Sequence, residues 1–580
     1  MATYDLVIRD GTVADGSGSA LTEADVAIVD GCIVGVGRNI GAGREEINAR
    51  GFLVTPGFVD IHTHLDGHVT WESRHSPSSE HGITTIVTGS CGLGFAPCRQ
   101  QDREDLISIM AGVEDIPERV IKAGLAWSWE SFPQYLDAIE ARPHDVDIAS
   151  MIPHSALRLY VMGERATAST EATEADIARM SDAVRDAIKA GAIGFATSRA
   201  LRHKSSRGET LPTVRTTEGE LLGILRAMAE TGRGVFQMLS DFGLFKDIAG
   251  EFAMLRRLVA ETRRPLSFTV NQKHSDPDGW RTLMDLIGSA SDEGLPIRAQ
   301  VLGRPTGLLM GHELSRSPFD GCPSYELLSK LPLEARVAEL RKPELRAKIL
   351  EEFPDGGRRP NWNFCFEMRD PPNYEPPPDE SFAALAERKG STPAALAYDW
   401  MLERGGRGII FEPAQNYADG SLNAPYEMMQ HKDSLLGLGD AGAHSGVICD
   451  ASYPTTMLAY WTRDRVRGPR LKVPQVIEAL TSRNANAFGM MDRGRIALGY
   501  KADINVIDYD RLLLHVPQAV YDLPDHGRRL VQRADGYVAT LLNGVVTFRE
   551  GQPTGALPGK LVRGPQPAPR ATAVSQANRG

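Results

Sequence analysis

Two periodicities divide the chain. Near the start the pattern has period two: Tyr4–Arg9 alternates apolar and polar positions and is followed by a glycine-rich turn. Val26–Val29 and Cys32–Val36 then flank Asp30-Gly31, a dipeptide suited to a tight hairpin. Ala502–Ile507 and Gly536–Phe548 repeat this style, with a turn at Asn543-Gly544. Two strand-rich ends around a long middle predict one small β-sandwich domain built from residues 1–55 and 490–556. In the middle the period lengthens. Thr173–Ala190 places Ile177, Met180, Val184 and Ile188 on one helical face, with Thr173 and Asp176 as the N-terminal cap and Gly191 as the stop. The strand Ile193–Ala196 follows at once. Helical stretches at about 219–231, 249–263 and 280–293 lead to strands Val235–Leu239, Leu266–Val270 and Ile297–Leu302.

Helix and strand alternating at this spacing predict βα units around a parallel sheet. A (β/α)8 TIM-like barrel needs roughly 250 residues or more, and positions 56–489 supply them with length to spare. The excess falls at 340–392, rich in charge and proline, which predicts a structureless insertion serving as a lid or a subunit contact. Residues 557–580 lack a core pattern and read as a disordered tail. The fold class is therefore α/β: a barrel plus a small β domain formed from both chain ends.

Composition narrows the function classes. The chain has 580 residues, 42% apolar and 24% charged, the balance of a globular protein. With a net charge of −11 and no basic block, a phosphate-matching nucleic-acid surface is not expected. No apolar run approaches the roughly 18 residues of a membrane span, and the first residues show neither a basic n-region nor an apolar h-region. Cys32, Cys91, Cys98, Cys322, Cys365 and Cys449 are scattered rather than spaced as a disulfide framework. The expectation is a cytoplasmic protein, with neither nucleic acid nor membrane as partner and with homo-oligomerisation left open.

The chemistry concentrates in three segments. After the apolar strand Phe58–Ile61 come His62 and His64. Residues i and i+2 of a strand point the same way, so both imidazoles face one point above the barrel, where a metal can be gripped. Asp440, after Leu435–Leu438, can ligate the same metal and take a proton from water, with His444 four residues on as a turn residue or a substrate contact. Gly89-Ser-Cys91-Gly92 follows the β-branched strand Thr84–Thr88, and there the Cys91 thiolate can join the metal. The polar run Ser198–Lys204 brings Arg199, Arg202 and His203 to the active-site end of a strand, where a cation can bind a carboxylate, or simply form a solvated loop.

These segments resemble the amidohydrolase superfamily, in particular its N-acyl-D-amino-acid deacylase (D-aminoacylase) branch. The likeness spans almost the whole chain: the start DLVIRDGTVADGSG, GFVDIHTHLD at 57–66, GSCGLGFAP at 89–97, PHSALR at 153–158, GAIGFATS at 191–198, LGDAGAH at 438–444 and GRIALGYKADINVID at 494–508. It implies a barrel with a β-sandwich, a zinc site of one or two ions and hydrolysis of an acyl–nitrogen bond in a small-molecule amide. His62, His64, Cys91 and Asp440 would be metal ligands and Asp440 the general base and acid. Lys273, Arg199, His203, His444 and His154 would contact substrate, Lys273 matching a family lysine on the substrate carboxylate. Two further family metal histidines are missing: Gln237 or Met238 stands at one place and Asn271 at the other, with His274 three residues on. One tightly held ion is therefore favoured. A cyclic amide or imide hydrolase, or a ring aminohydrolase, is the competing enzyme reading; a non-catalytic ligand-binding homologue is the other.

Overall fold

The computed structural model describes residues 3–570 except 169, 241, 243–246 and 358. Its centre is a barrel of eight parallel strands: β1 Phe58–Asp60, β2 Ile83–Thr88, β3 Asp147–Pro153, β4 Gly194–Ser198, β5 Val235–Leu239, β6 Leu266–Thr269, β7 Ile297–Val301 and β8 Ser434–Leu436. They pair in that order from β1 to β8. The ring closes just beyond the strand ends, where Thr63 bridges Ala441 in parallel and the His64 N–H donates to Ala441 O at 2.8 Å. The strands are buried on both faces, which is why they read as continuous apolar runs.

The helices between strands follow the apolar periodicity. Glu174–Ala190 starts in a Thr173/Asp176 capping box and stops at Gly191 in the left-handed conformation. Glu218–Glu230, Ile248–Thr262 and Gly279–Asp292 pack Leu221, Leu225, Leu255, Leu258, Leu283 and Ile287 onto the barrel. Both chain ends join in one nine-stranded sheet, in which Leu53–Pro56 of the N-terminal part pairs with Ile504–Ile507 of the C-terminal part. It has its own core, including Ile8, Val26, Ile28, Val54, Ile504 and Leu541. Asp147, fully buried at the start of β3, pins this unit to the barrel: Arg493 donates to it at 2.9 Å and Lys501 at 2.5 Å.

Two expectations need correction. The insertion is not structureless. It begins before residue 340, carries helices Leu333–Leu340, Pro343–Gly356, Phe382–Lys389 and Pro393–Met401, and adds a sheet of Thr306–Met310, Ile409–Gln415 and Phe366–Met368. Met310, Phe319, Leu340, Ile349, Phe382, Tyr398 and Ile410 give it a separate apolar core. The tail is ordered as far as 570. Lys560 O accepts from the Ile148 N–H, Leu561 and Val562 are buried, and Met490 bridges Gln566. Residues 571–580 of that expected tail lie outside the described residues. None of the described helices is long and apolar enough to cross a membrane.

Candidate metal centre and active site

At the C-terminal mouth of the barrel, the end at which barrel enzymes build their sites, three of the predicted residues converge. One ligand atom each from His62, His64 and Cys91 lies within 4.8 Å of the others, and all three side chains are buried. Asp440 closes the fourth side, with its Oδ1 3.5 Å from His62 Nε2 and 3.9 Å from His64 Nε2.

The backbone explains how each is placed. His62 and His64 leave β1 with the alternation of a strand. Cys91 sits in a turn that β2 enters through Gly89 (φ 86°) and leaves through Gly92 (φ 66°). A Cβ on Gly89 would stand 2.1 Å from Met151 O, and on Gly92 2.7 Å from Thr197 Cα, so only glycine allows the loop to press this close to β3 and β4. Cys91 itself adopts φ 55°, and Asp440 φ 44°, conformations that non-glycine residues seldom hold without a functional reason.

Outer partners fix the rings. Gln300 on β7 donates from Nε2 to Ser267 Oγ at 2.9 Å, so its Oε1 must accept from His62 Nδ1–H at 2.6 Å. That leaves the lone pair of His62 Nε2 facing Cys91 Sγ, 3.3 Å away, and Asp440. Glu114, buried at the end of helix Arg103–Glu114, places Oε1 3.4 Å from His64 Nδ1 and Oε2 3.7 Å from His444 Nε2. A carboxylate behind a ligating imidazole is the usual means of orienting it.

The electrostatics are those of a site that lacks positive charge. Burial, then the neighbouring His62, hold the His64 imidazole well below its ordinary range. Burial, then Asp440, push the Cys91 thiol and the Glu114 carboxyl well up. Asp60, whose Oδ1 accepts from the His62 N–H, is pushed up to about 7 by burial, and Asp66 to about 8. His64 Nδ1, Glu114 Oε2 and Asp440 Oδ1 are buried atoms without a hydrogen-bond partner among the described residues. Neutral imidazoles, a thiol and an orphaned carboxylate oxygen converging on one point fit a divalent transition ion.

The remaining expected residues divide. Lys273 lines a cavity of about 330 Å³, together with Arg202, Phe242, Asn271, Trp280 and Gln415, and Arg202 is near enough to the site for its cation to act on the Cys91 thiol. His203 is half-buried, and desolvation with the nearby Arg202 cation pushes its imidazole down to about 3. His444 faces Glu114. Arg199 and His154, expected at the substrate, are each held by a buried glutamate. The Arg199 guanidinium, buried, donates to Glu251 Oε1 at 2.8 Å and to Thr216 O. His154 is held between Thr197 Oγ1 at 2.8 Å and Glu220 Oε1 at 3.0 Å. Nor does His274 substitute as a ligand: its Nε2 is bonded to Pro413 O at 2.8 Å and its ring packs on Phe364. Asn271 is tied to Gln415 and Asn416. Sequence reasoning missed Glu114 and Gln300. A single glutamine inside the apolar run of β7 was a usable signal for the second; the first had none.

The mouth of this parallel barrel thus gathers HxH, a cysteine and a late aspartate, a donor set that could hold a divalent ion. The chain belongs to the amidohydrolase family, whose model matches residues 45–355 and 375–548, and is accordingly a hydrolase of amide bonds. It is 28% identical over 596 residues to an uncharacterised protein of Mycobacterium tuberculosis, covering 95% of this chain and 92% of the relative. To a D-aminoacylase of Alcaligenes xylosoxydans xylosoxydans it is 25% identical over 567 residues, covering 96% and 97%. Among solved structures, a D-aminoacylase superposes with TM-score 0.64 at 20% identity over 97% of this chain and 100% of that one. That enzyme has a binuclear metal centre described by one-metal activation and second-metal attenuation. An N-acyl-D-glutamate deacylase of Bordetella bronchiseptica, solved with zinc and a phosphonate mimic of the tetrahedral intermediate, superposes with TM-score 0.62 at 20% identity over 97% and 99%.

Proposed function

We propose that this chain deacylates an N-acyl-D-amino acid, using one divalent metal, zinc, held by His62, His64 and Asp440 with Cys91 at its edge. The observation that carries the reading is the convergence of these donors on one point beside a cavity that contains two cations, Lys273 and Arg202. A divalent ion bound there would acidify a water molecule and polarise a carbonyl.

The chain's own groups supply the rest. Asp440 is the one ligand-forming carboxylate that keeps some access to the mouth, its side chain being 25% exposed, so it accepts the proton of the attacking water. The same carboxyl delivers that proton to the departing nitrogen, without which an amine is a poor leaving group. Gln300 and Glu114 hold the two imidazoles in place. Lys273 and Arg202 suit the carboxylate of an amino acid, and the apolar walls Phe242, Trp280 and Leu283 suit a side chain. The names of the deacylase relatives agree with this substrate class.

The test is metal analysis of the purified chain followed by a panel of N-acetyl-D-amino acids, their L-isomers, hydantoins and dihydropyrimidines. Release of acetate from D-isomers in preference to the others is expected. Faster opening of the ring substrates would favour the competing enzyme reading. A chain that binds no metal and turns over nothing would leave only a ligand-binding role.

A further inference from the structure

The cavity that holds Lys273 has a wall from outside the barrel. Gln415, the last residue of strand Ile409–Gln415 in the insertion's sheet, is half-buried and lines it. Lys273 and Gln415 are opposed in an isolated antiparallel bridge. Directly opposed residues send their side chains to the same face, with Cβ atoms about 5 Å apart. Both side chains therefore enter the cavity from one side, as neighbours.

A ladder of amides fixes which end of Gln415 meets the cavity. The Gln272 backbone N–H donates to Asn416 Oδ1 at 2.9 Å. A backbone N–H can only donate, so Asn416 must present Nδ2 on its other side. That Nδ2 donates to Asn271 Oδ1 at 3.2 Å, and to the carbonyls of Leu302 and Arg304. Asn271 is thereby turned so that its own Nδ2 donates to Gln415 Oε1 at 2.7 Å. Thr306 Oγ1 donates to the same oxygen at 3.4 Å. Gln415 Nε2 is left as the outward end. None of the described residues accepts from it, and it is not one of the atoms sealed from water. Its N–H donors thus open into the cavity beside an ammonium group, in an orientation set by a backbone N–H at the far end of the ladder.

We propose that Gln415 is a substrate-binding residue: its Nε2 donates to one oxygen of the substrate carboxylate while Lys273 takes the other, and Asn271 is the positioning residue that keeps the amide turned this way. The inference rests on the deacylase reading of the site and adds to it a contact supplied by the insertion. An amide donor and an ammonium on one side of a cavity match the two oxygens of a carboxylate, and a carboxylate is the stronger acceptor for both. Turned around, the same glutamine would present Oε1 and repel that group. The ladder prevents the rotation, because Asn271 Nδ2 would then face an N–H instead of an oxygen. Asn271, which stands where the resemblance leads one to expect a metal histidine, has on this reading a task in substrate recognition.

The experiment uses the full-length, zinc-loaded chain. Gln415→Met keeps the volume and removes the donor. Gln415→Glu keeps an acceptor for Asn271 Nδ2 and puts a second oxygen where Nε2 was. Asn271→Leu frees the glutamine to turn. Each is assayed on the best N-acetyl-D-amino acid and on its primary amide, in which CONH2 replaces the carboxylate. A hydrogen bond to a charged group is worth about 10- to 100-fold in affinity. KM for the acid should rise by that factor in Gln415→Met and by more in Gln415→Glu, with kcat within about threefold and zinc content unchanged. Gln415→Glu should also use the primary amide better than the wild type does, a gain that mere loosening of the site would not give. Asn271→Leu should show a smaller rise in KM that vanishes when Gln415→Met is already present. KM for the acid within about threefold of wild type in both Gln415 variants overturns the proposal. A wild-type crystal with the N-methyl-D-amino acid, which has no acyl bond to cleave, decides the matter even if the variants do not fold. Nε2 within about 3.2 Å of a carboxylate oxygen supports the proposal; a separation beyond about 4 Å, or an empty cavity, overturns it. If the wild type hydrolyses no N-acyl-D-amino acid, the deacylase reading falls and the crystal alone judges Gln415; if the wild type is active and the Gln415 variants match it, only the role of Gln415 falls.

Discussion

Asp440→Asn removes the proton acceptor and little else. Asp440 stands at φ 44°, and asparagine tolerates that left-handed conformation as aspartate does, whereas alanine would add backbone strain to the effect being measured. The substitution also keeps an oxygen near the position 3.5 Å from His62 Nε2 and 3.9 Å from His64 Nε2. His62 stays oriented by Gln300 and His64 stays backed by Glu114, so metal should be retained in good part. What is lost is general base help on the water and general acid help on the leaving nitrogen, each commonly about 10²–10⁴-fold. Because one group performs both, the fall in kcat should reach the upper end, about 10⁴-fold, or roughly 5.5 kcal/mol of barrier at about 1.4 kcal/mol per tenfold. KM should change little, since the cations that suit the substrate carboxylate lie in the adjoining cavity. The assay is steady-state kinetics on the best N-acyl-D-amino acid beside elemental analysis of the same preparation. A variant that keeps its metal and remains within a few-fold of wild type in kcat would show that the proton goes elsewhere, with His444 the next group to replace.

Three other outcomes are expected. Lys273→Met should raise KM for N-acyl-D-amino acids by about 10- to 100-fold, the worth of a hydrogen bond to a charged group, and leave kcat within a few-fold; unchanged KM would remove Lys273 from the substrate site. Stripping the chain with a chelator should abolish activity, and a single equivalent of zinc should restore it; a requirement for two equivalents, or two fully occupied ions in anomalous scattering, would contradict the one-ion reading. His81 is held by Thr455 Oγ1 and Gln532 O, and burial pushes its imidazole down to about 4 from an ordinary 6.5. Between those values the unfolded chain binds the extra proton, so stability falls as pH falls. The loss is complete near pH 4 and amounts to about 3–4 kcal/mol, at about 1.4 kcal/mol per pH unit. Denaturant titrations of wild type and His81→Gln from pH 7 to pH 4 should show the shallower loss in the variant, and equal slopes would refute the assignment.

The barrel strands and their helices were legible because each is a local pattern: a short apolar run, a 3.6-residue stripe, a cap. The ligands were legible for a related reason, since His62 and His64 are neighbours in one strand exit and Cys91 and Asp440 lie in short glycine-rich turns. The pairing of Arg199 and His154 was not legible because their partners are remote: Glu251 lies 52 residues from Arg199 and Glu220 66 residues from His154. A buried cation paired with a distant acid looks, in sequence, like a free one. The insertion was misjudged for another reason. The prolines that carried that reading, Pro371, Pro372, Pro376, Pro377 and Pro378, occupy only the link between Phe366–Met368 and Phe382–Lys389, while Pro343 stands at the first turn of a helix, where the missing N–H has no intrahelical acceptor to lose. Glu114 closes a helix with no motif around it, and nothing local announces that it faces His64.

The case for one ion does not depend only on the histidines that are missing. A second ion on the β5 side would have to compete with hydrogen bonds that the described residues already make there. Gln237 Oε1 is engaged by the Cys91 N–H, Asn271 Oδ1 by Asn416, and the His274 Nε2 by Pro413 O. Restoring a ligand there tests the point: Gln237→His should gain affinity for a second equivalent of zinc, because an imidazole replaces an amide whose oxygen is held by the Cys91 N–H. Zinc content of the variant that stays at one equivalent would show that the β5 side is closed to metal for a reason other than the missing histidine.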